Sequence, residues 1–144
     1  MEAVDTTVAR MRLIVLALTA GVLALATASG FIELGVLEFA RVAGMLAGLA
    51  GLVVLPAAWR VYLAMREGSS DVADVQTGCH RYSSAVLMAL AMTEGVAFIG
   101  IVFYLMGAEI VSMLGVVTHV LLTGVLWPTA EKVHPFLGRA GGGR

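Results

Sequence analysis

One cysteine, three prolines and three histidines are all that 144 residues contain. A single thiol closes no internal disulfide, so a cross-linked secreted fold is excluded. With three histidines, that one cysteine falls short of the two or more that a structural zinc cluster of these residue types uses. Charge is sparse, at 13% of the chain, and nearly balanced, with nine Lys+Arg against ten Asp+Glu and a net charge of -1. There is no basic excess to hold nucleic acid. No Gly-rich phosphate loop, HExxH or GxSxG element occurs, so no enzyme, metal or cofactor is indicated.

Apolar residues fill the space left by charge. They make up 60% of the chain, and the mean hydropathy is +0.95, well beyond an ordinary soluble domain. Charges fall between four apolar stretches, at about residues 13–32, 42–59, 82–106 and 110–127. Each is close to the roughly 20 residues a helix needs to cross a hydrocarbon core about 30 Å thick. Helices are required because lipid offers unpaired backbone groups no partners. The sequence therefore predicts an all-α polytopic membrane protein, a four-helix bundle forming one domain over residues 1–137. The glycine-rich tail 138–144 and the segment 66–81 (REGSSDVADVQTGCHR) read as a disordered end and a hydrated loop.

Orientation follows from the cations between spans. Arg10, Arg12, Arg60, Arg66, Arg81, Lys132, Arg139 and Arg144 fall on one side and only Arg41 on the other. The positive-inside rule then places both termini in the cytoplasm, in a plasma (inner) membrane. Trp59, Tyr62, Tyr82 and Trp127 lie at the cytoplasmic span ends, where amphipathic rings prefer to be. The first span has a rival reading as a secretory signal, with Arg10 and Arg12 ahead of a short apolar run and Ala26-Thr27-Ala28 resembling a cleavage site.

An internal echo argues for a span. Ala17-x-Thr19-x-Gly21-Val22 matches Ala91-x-Thr93-x-Gly95-Val96, and Val53-x-x-Pro56-x-Ala58-x-Arg60-Val61 matches Val125-x-x-Pro128-x-Ala130-x-Lys132-Val133. A duplicated two-helix hairpin would relate the halves by a pseudo-twofold along the membrane normal. Coincidence among common apolar letters stands as the alternative.

Only Glu94 places a formal charge deep inside a span. A carboxylate at the bilayer centre costs several kcal/mol, so it must be protonated, paired or facing water. Raised by desolvation, such a group can take up and release a proton or cation; as a neutral acid it can equally serve as interhelical glue. His119 in the fourth span is the candidate partner, about 5 Å different in depth by helical rise. Ser112, His119 and Thr123 share one helical stripe, and Ser83 shares the Glu94 face. These four polar groups, Glu94, His119, Ser112 and Thr123, form the candidate ion- or proton-binding site.

Small residues suggest close helix packing or self-association. Gly44-x-x-x-Gly48 with Gly51 marks the second span, and Ala20-x-x-x-Ala24-x-x-x-Ala28 the first. Eight methionines read as gap-filling core rather than a copper site. Cys79-His80 reads as loop.

Around Glu94, the run 91–102 (AMTEGVAFIGIV) resembles the carboxylate-bearing outer helix of the c-type proteolipid subunits of rotary ATP synthases, in which Gly follows the acid by six positions. Gly44, Gly48 and Gly51 are similar to that family's inner helix. The resemblance covers about residues 42–106 and implies a proton- or cation-carrying Glu94 in a ring of copies. The acid stands here on the third span, whereas four-span family members carry theirs on even-numbered spans.

Three functions follow as expectations: a midplane protonatable site for proton or cation translocation, within a homo-oligomer or membrane complex; a non-catalytic scaffold subunit with Glu94 permanently neutral; and a lipid or hydrophobic small-molecule binder.

Overall fold

A computed structural model describes residues 2–32, 37–69, 72 and 74–138. All regular structure among them is helical, so the all-α expectation stands. Helix α1 covers Glu2–Ser29, α2 Glu38–Glu67 and α3 Val75–Leu105; a 3-10 turn at Ile110–Met113 leads into α4, Leu114–Val125, and a short α5, Ala130–Val133, continues as a 3-10 turn at His134–Phe136. Three helices are long and apolar enough to cross a membrane, and a fourth span exists if Ile110–Val125 and Ala130–Phe136, bent by 92°, count as one. Apolar helices of this length suit a membrane-embedded protein. The expected tail lies almost wholly outside the described residues.

The helices outrun the expected spans. At 28, 30 and 31 residues, α1 to α3 are about 42 to 47 Å long, against a core of about 30 Å. Hydropathy marks only the part of a helix that meets lipid, so polar turns that continue it into water are read as loop. The segment 66–81 is corrected accordingly: Arg66 and Glu67 complete α2, and residues 75–81 open α3.

The start of α3 is set by Asp74. Its carboxylate accepts from Thr77 N at 2.8 Å and from Thr77 Oγ1 at 2.6 Å, satisfying a donor that the first turn leaves free. These bonds hold the Asp74 carboxyl below its ordinary range. A depressed folded value stabilises α3 above the ordinary carboxylate range and loses that contribution as pH falls through it. Amide exchange at residues 75–78 is therefore expected to accelerate at acid pH, and Asp74→Ala should reproduce the change at neutral pH. Acid-insensitive exchange in the parent would contradict this.

The fourth apolar stretch departs furthest from expectation, because 110–127 is not one helix. A four-residue 3-10 turn and twelve α-helical residues rise about 26 Å, and the chain then turns at Leu126 to Thr129. Pro128 has no N–H, and its ring disfavours helix at Trp127. The carbonyls left at the end of α4 find cationic donors: Lys132 Nζ donates to Val125 O (2.6 Å) and Trp127 O (3.0 Å), and Arg12 Nε donates to Pro128 O (3.1 Å). Cations suit a helix C-terminus. Pro56, the repeat partner of Pro128, lies inside α2, which runs on through it. The two hairpin halves thus differ where their prolines fall.

Helix α3 is the hub, packing on α2, α4 and α1. Two apolar cores lie along it. One joins Val8, Met11 and Val15 of α1 to Tyr82, Val86 and Leu90 of α3 and Leu122 and Leu126 of α4; the other gathers Val22, Ala97, Ile101 and Val116 toward the opposite end.

Glycine decides the closest approaches. A Cβ on Gly44 would strike Ala108 Cβ, on Gly48 the Val111 carbonyl, on Gly100 the Ser112 carbonyl, and on Gly51 it would come within 3.0 Å of Gly115 Cα. The small-residue face of α2 is thus occupied by residues 108–115 of the same chain. Ala20 and Ala24 are exposed instead. Gly100→Ala is expected to destabilise by about 1–3 kcal/mol through overpacking. Gly95→Ala, which meets nothing within 4 Å, should be neutral or stabilising by up to about 1 kcal/mol from helix propensity. Unfolding titrations in detergent compare the two, and equal effects would refute the close-packing assignment.

Candidate functional site

Between the two apolar cores runs a polar layer. On α1 the cores are represented by Val15 and Val22, with Thr19 between; on α3 by Leu90 and Ala97, with Thr93 between; on α4 by Val116 and Leu122, with His119 between and Thr123 one turn beyond it. The helical repeat places these residues on inward faces. Thr93 and His119 are fully buried, and Thr123 is 7% exposed.

The bonds within the layer fix its chemistry. Thr93 Oγ1 lies 3.0 Å from Leu90 O and 3.0 Å from His119 Nδ1. A hydroxyl has one proton; where the one on Thr93 goes to the Leu90 carbonyl, Nδ1 of His119 carries the proton in the second bond. That tautomer leaves Nε2 as a bare lone pair. Nε2 is buried and finds no partner among the described residues. Thr19 and Thr123 close the layer on the other side through a 3.2 Å contact of their hydroxyls.

Glu94 stands beside this layer rather than in it. It is half-buried, and its carboxylate makes neither a hydrogen bond nor an ion pair among the described residues. The expected Glu94–His119 contact is therefore replaced by a Thr93–His119 bond. The reason is angular, because one residue of advance turns a helix by about 100°. With Thr93 aimed at α4, Glu94 is carried to the face that bears Ser83 and Leu87 toward α1. Ser112 is likewise set apart. Its Oγ is buried and has no partner among the described residues, about 11 Å of helical rise from His119, and its Cβ lies against the bare face of Gly44.

Thr19 and Thr93 are the members that the sequence reading passed over as site residues, although the internal echo aligns them. Each reaches a polar group of α4, Thr123 and His119 respectively. The chain matches no known protein family, curated protein or solved structure.

Proposed function

We propose that the chain is a four-span integral membrane protein, with both termini cytoplasmic, that moves a proton or small cation through its midplane polar layer. The observation that carries this reading is His119: an imidazole enclosed between two apolar cores, one nitrogen held by Thr93 and the other buried without a partner among the described residues. Buried polar groups are ordinarily satisfied, and exceptions at bilayer depth favour function over packing. A proton arriving at Nε2 converts the ring to a cation whose Nδ1 side meets the Thr93 hydroxyl.

Glu94 supplies the second group. One position along from Thr93, it can exchange protons at the flank of the bundle and balance the charge on the ring. Both groups cost less to bury neutral than charged, and a site of this kind must be able to empty.

Reconstitution into liposomes tests the assignment. Glu94→Gln and His119→Leu are each expected to remove flux while helix content is retained. Flux at the parent level in both variants would refer the chain to the scaffold reading and end this one.

A further inference from the structure

A cavity of about 360 Å³ lies between the first half of α1 and the start of α3. Its walls change character along the helix axes. Thr7 and Arg10 of α1 face Gln76 and His80 of α3 at the outer end, Ser83 and Ser84 follow, and Met11, Ile14 and Leu87 close the inner end. Both helices enter their long apolar runs at this level, residues 13–32 and 82–106. The cavity therefore straddles the boundary between water and hydrocarbon, polar end toward water.

Its charge has one sign. No acidic side chain among the described residues lines it. Asp74 is occupied by Thr77, and Asp5 is set about 140–160° around α1 from Arg10 and Thr7. Three neighbouring cations are already committed to backbone carbonyls: Arg12 to Pro128, Arg81 to Gly68, and Lys132 to Val125 and Trp127. Arg10 has no such bond among the described residues and lines the cavity.

We infer that this cavity seats an anionic glycerophospholipid of the adjoining leaflet. Arg10 and His80 take the phosphate, the Ser83 and Ser84 hydroxyls face the glycerol region, and the acyl chains leave over Ile14 and Leu87. Charge complementarity selects an anionic lipid over a zwitterionic one, and the polar-to-apolar gradient selects a lipid over a free phosphate, which has no use for an apolar end. The site is distinct from the midplane layer, since Leu87 is about 10 Å of helical rise short of Glu94. It rests on the membrane placement alone and not on any transport.

Native mass spectrometry of protein released from nanodiscs of phosphatidylcholine mixed with phosphatidylglycerol reads the site directly. The parent is expected to retain one phosphatidylglycerol, favoured over phosphatidylcholine by about fivefold or more. Arg10→Gln should remove that preference, while Arg60→Gln, an exposed cation of α2 outside the cavity, should leave it. Cys79, the chain's one thiol and a lining residue, provides a second measurement: N-ethylmaleimide should modify it more slowly in the mixed bilayer than in phosphatidylcholine alone, and the Arg10→Gln protein should lose the difference. Equal lipid retention by parent and Arg10→Gln overturns the assignment. So does displacement of the lipid by glycerol 3-phosphate, which would mark a site for free phosphate.

Discussion

Truncating Phe136 to alanine is expected to cost about 3–5 kcal/mol, the range for deleting a fully enclosed aromatic ring. Phe136 is 0% exposed. Its ring meets Tyr82 edge-on at a centroid distance of 5.5 Å and Tyr62 at a tilt at 5.6 Å. The backbone is held as tightly, since a Cβ on Gly78 of α3 would lie 2.7 Å from the Phe136 carbonyl oxygen. The bend after α4 thus lays α5 and its 3-10 turn across the end of the bundle, with Val133, Phe136 and Leu137 buried beneath.

Location makes this contact worth more than a similar one deeper in the bundle. Inside lipid, apolar packing gains nothing from expelling water, because lipid tails are as apolar as the side chains. In the proposed topology the end of the bundle, where Arg12 and Lys132 gather, lies against water, and there burial of a ring carries the full hydrophobic term. Reversible unfolding in detergent gives the value. Tyr82→Phe serves as the comparison: its hydroxyl is buried without a partner among the described residues, so removing it should be neutral or mildly stabilising. A loss below about 1 kcal/mol for Phe136→Ala, the size of an average substitution, would show that α5 is not a structural cap.

The capping role also explains where the aromatic residues go. Tyr62 and Tyr82 were expected at the membrane interface as belt residues, but they are 4% and 0% exposed and turn under Phe136. Trp59, stacked on Tyr62 at 5.4 Å, keeps one face open, being 37% exposed. A sequence records which aromatics lie near the end of a span. It does not record that a later segment will fold back over them, because Pro128 marks a break without giving the direction of the bend.

Three of the four apolar stretches were legible as helices because unbroken hydropathy over about 20 residues has few other solutions. The fourth was legible only in part, for a specific reason. Its 3-10 start is imposed by tertiary contact, with Val111 and Ser112 carbonyls pressed on Gly48 and Gly100, and no local periodicity announces such a fit. Helical spacing groups Ser112, His119 and Thr123 on one stripe, and all three are buried, with Ser112 apart from the polar layer. Their partners were hidden by the ambiguity of threonine. Thr27 and Thr118 return their hydroxyls to carbonyls one turn back, Leu23 and Leu114, Thr19 reaches across to another helix, and Thr93 does both, meeting the Leu90 carbonyl and His119. Both behaviours suit the same letter in the same apolar setting.

Replacing His119 with leucine is the substitution expected to separate structure from activity most sharply. The imidazole makes one bond, to Thr93, and loss of such a bond costs about 1 kcal/mol. Two effects offset it. Thr93 keeps its bond to the Leu90 carbonyl, so no hydroxyl is orphaned, and the unpartnered Nε2 disappears with its own desolvation penalty of about 1–3 kcal/mol. Leucine also fills a similar volume between the Val116 and Leu122 layers. His119→Leu should therefore match or exceed the parent in stability, by up to about 2 kcal/mol. If Nε2 is the proton acceptor, the same protein should transport nothing, since no other side chain among the described residues of the layer titrates. Stability comes from unfolding titrations and flux from a pH-sensitive dye trapped in liposomes. A stabilised, inactive variant is what a functional strain predicts. If His119→Leu is instead strongly destabilised, the histidine is a packing element, and the case for a proton-carrying layer falls with it.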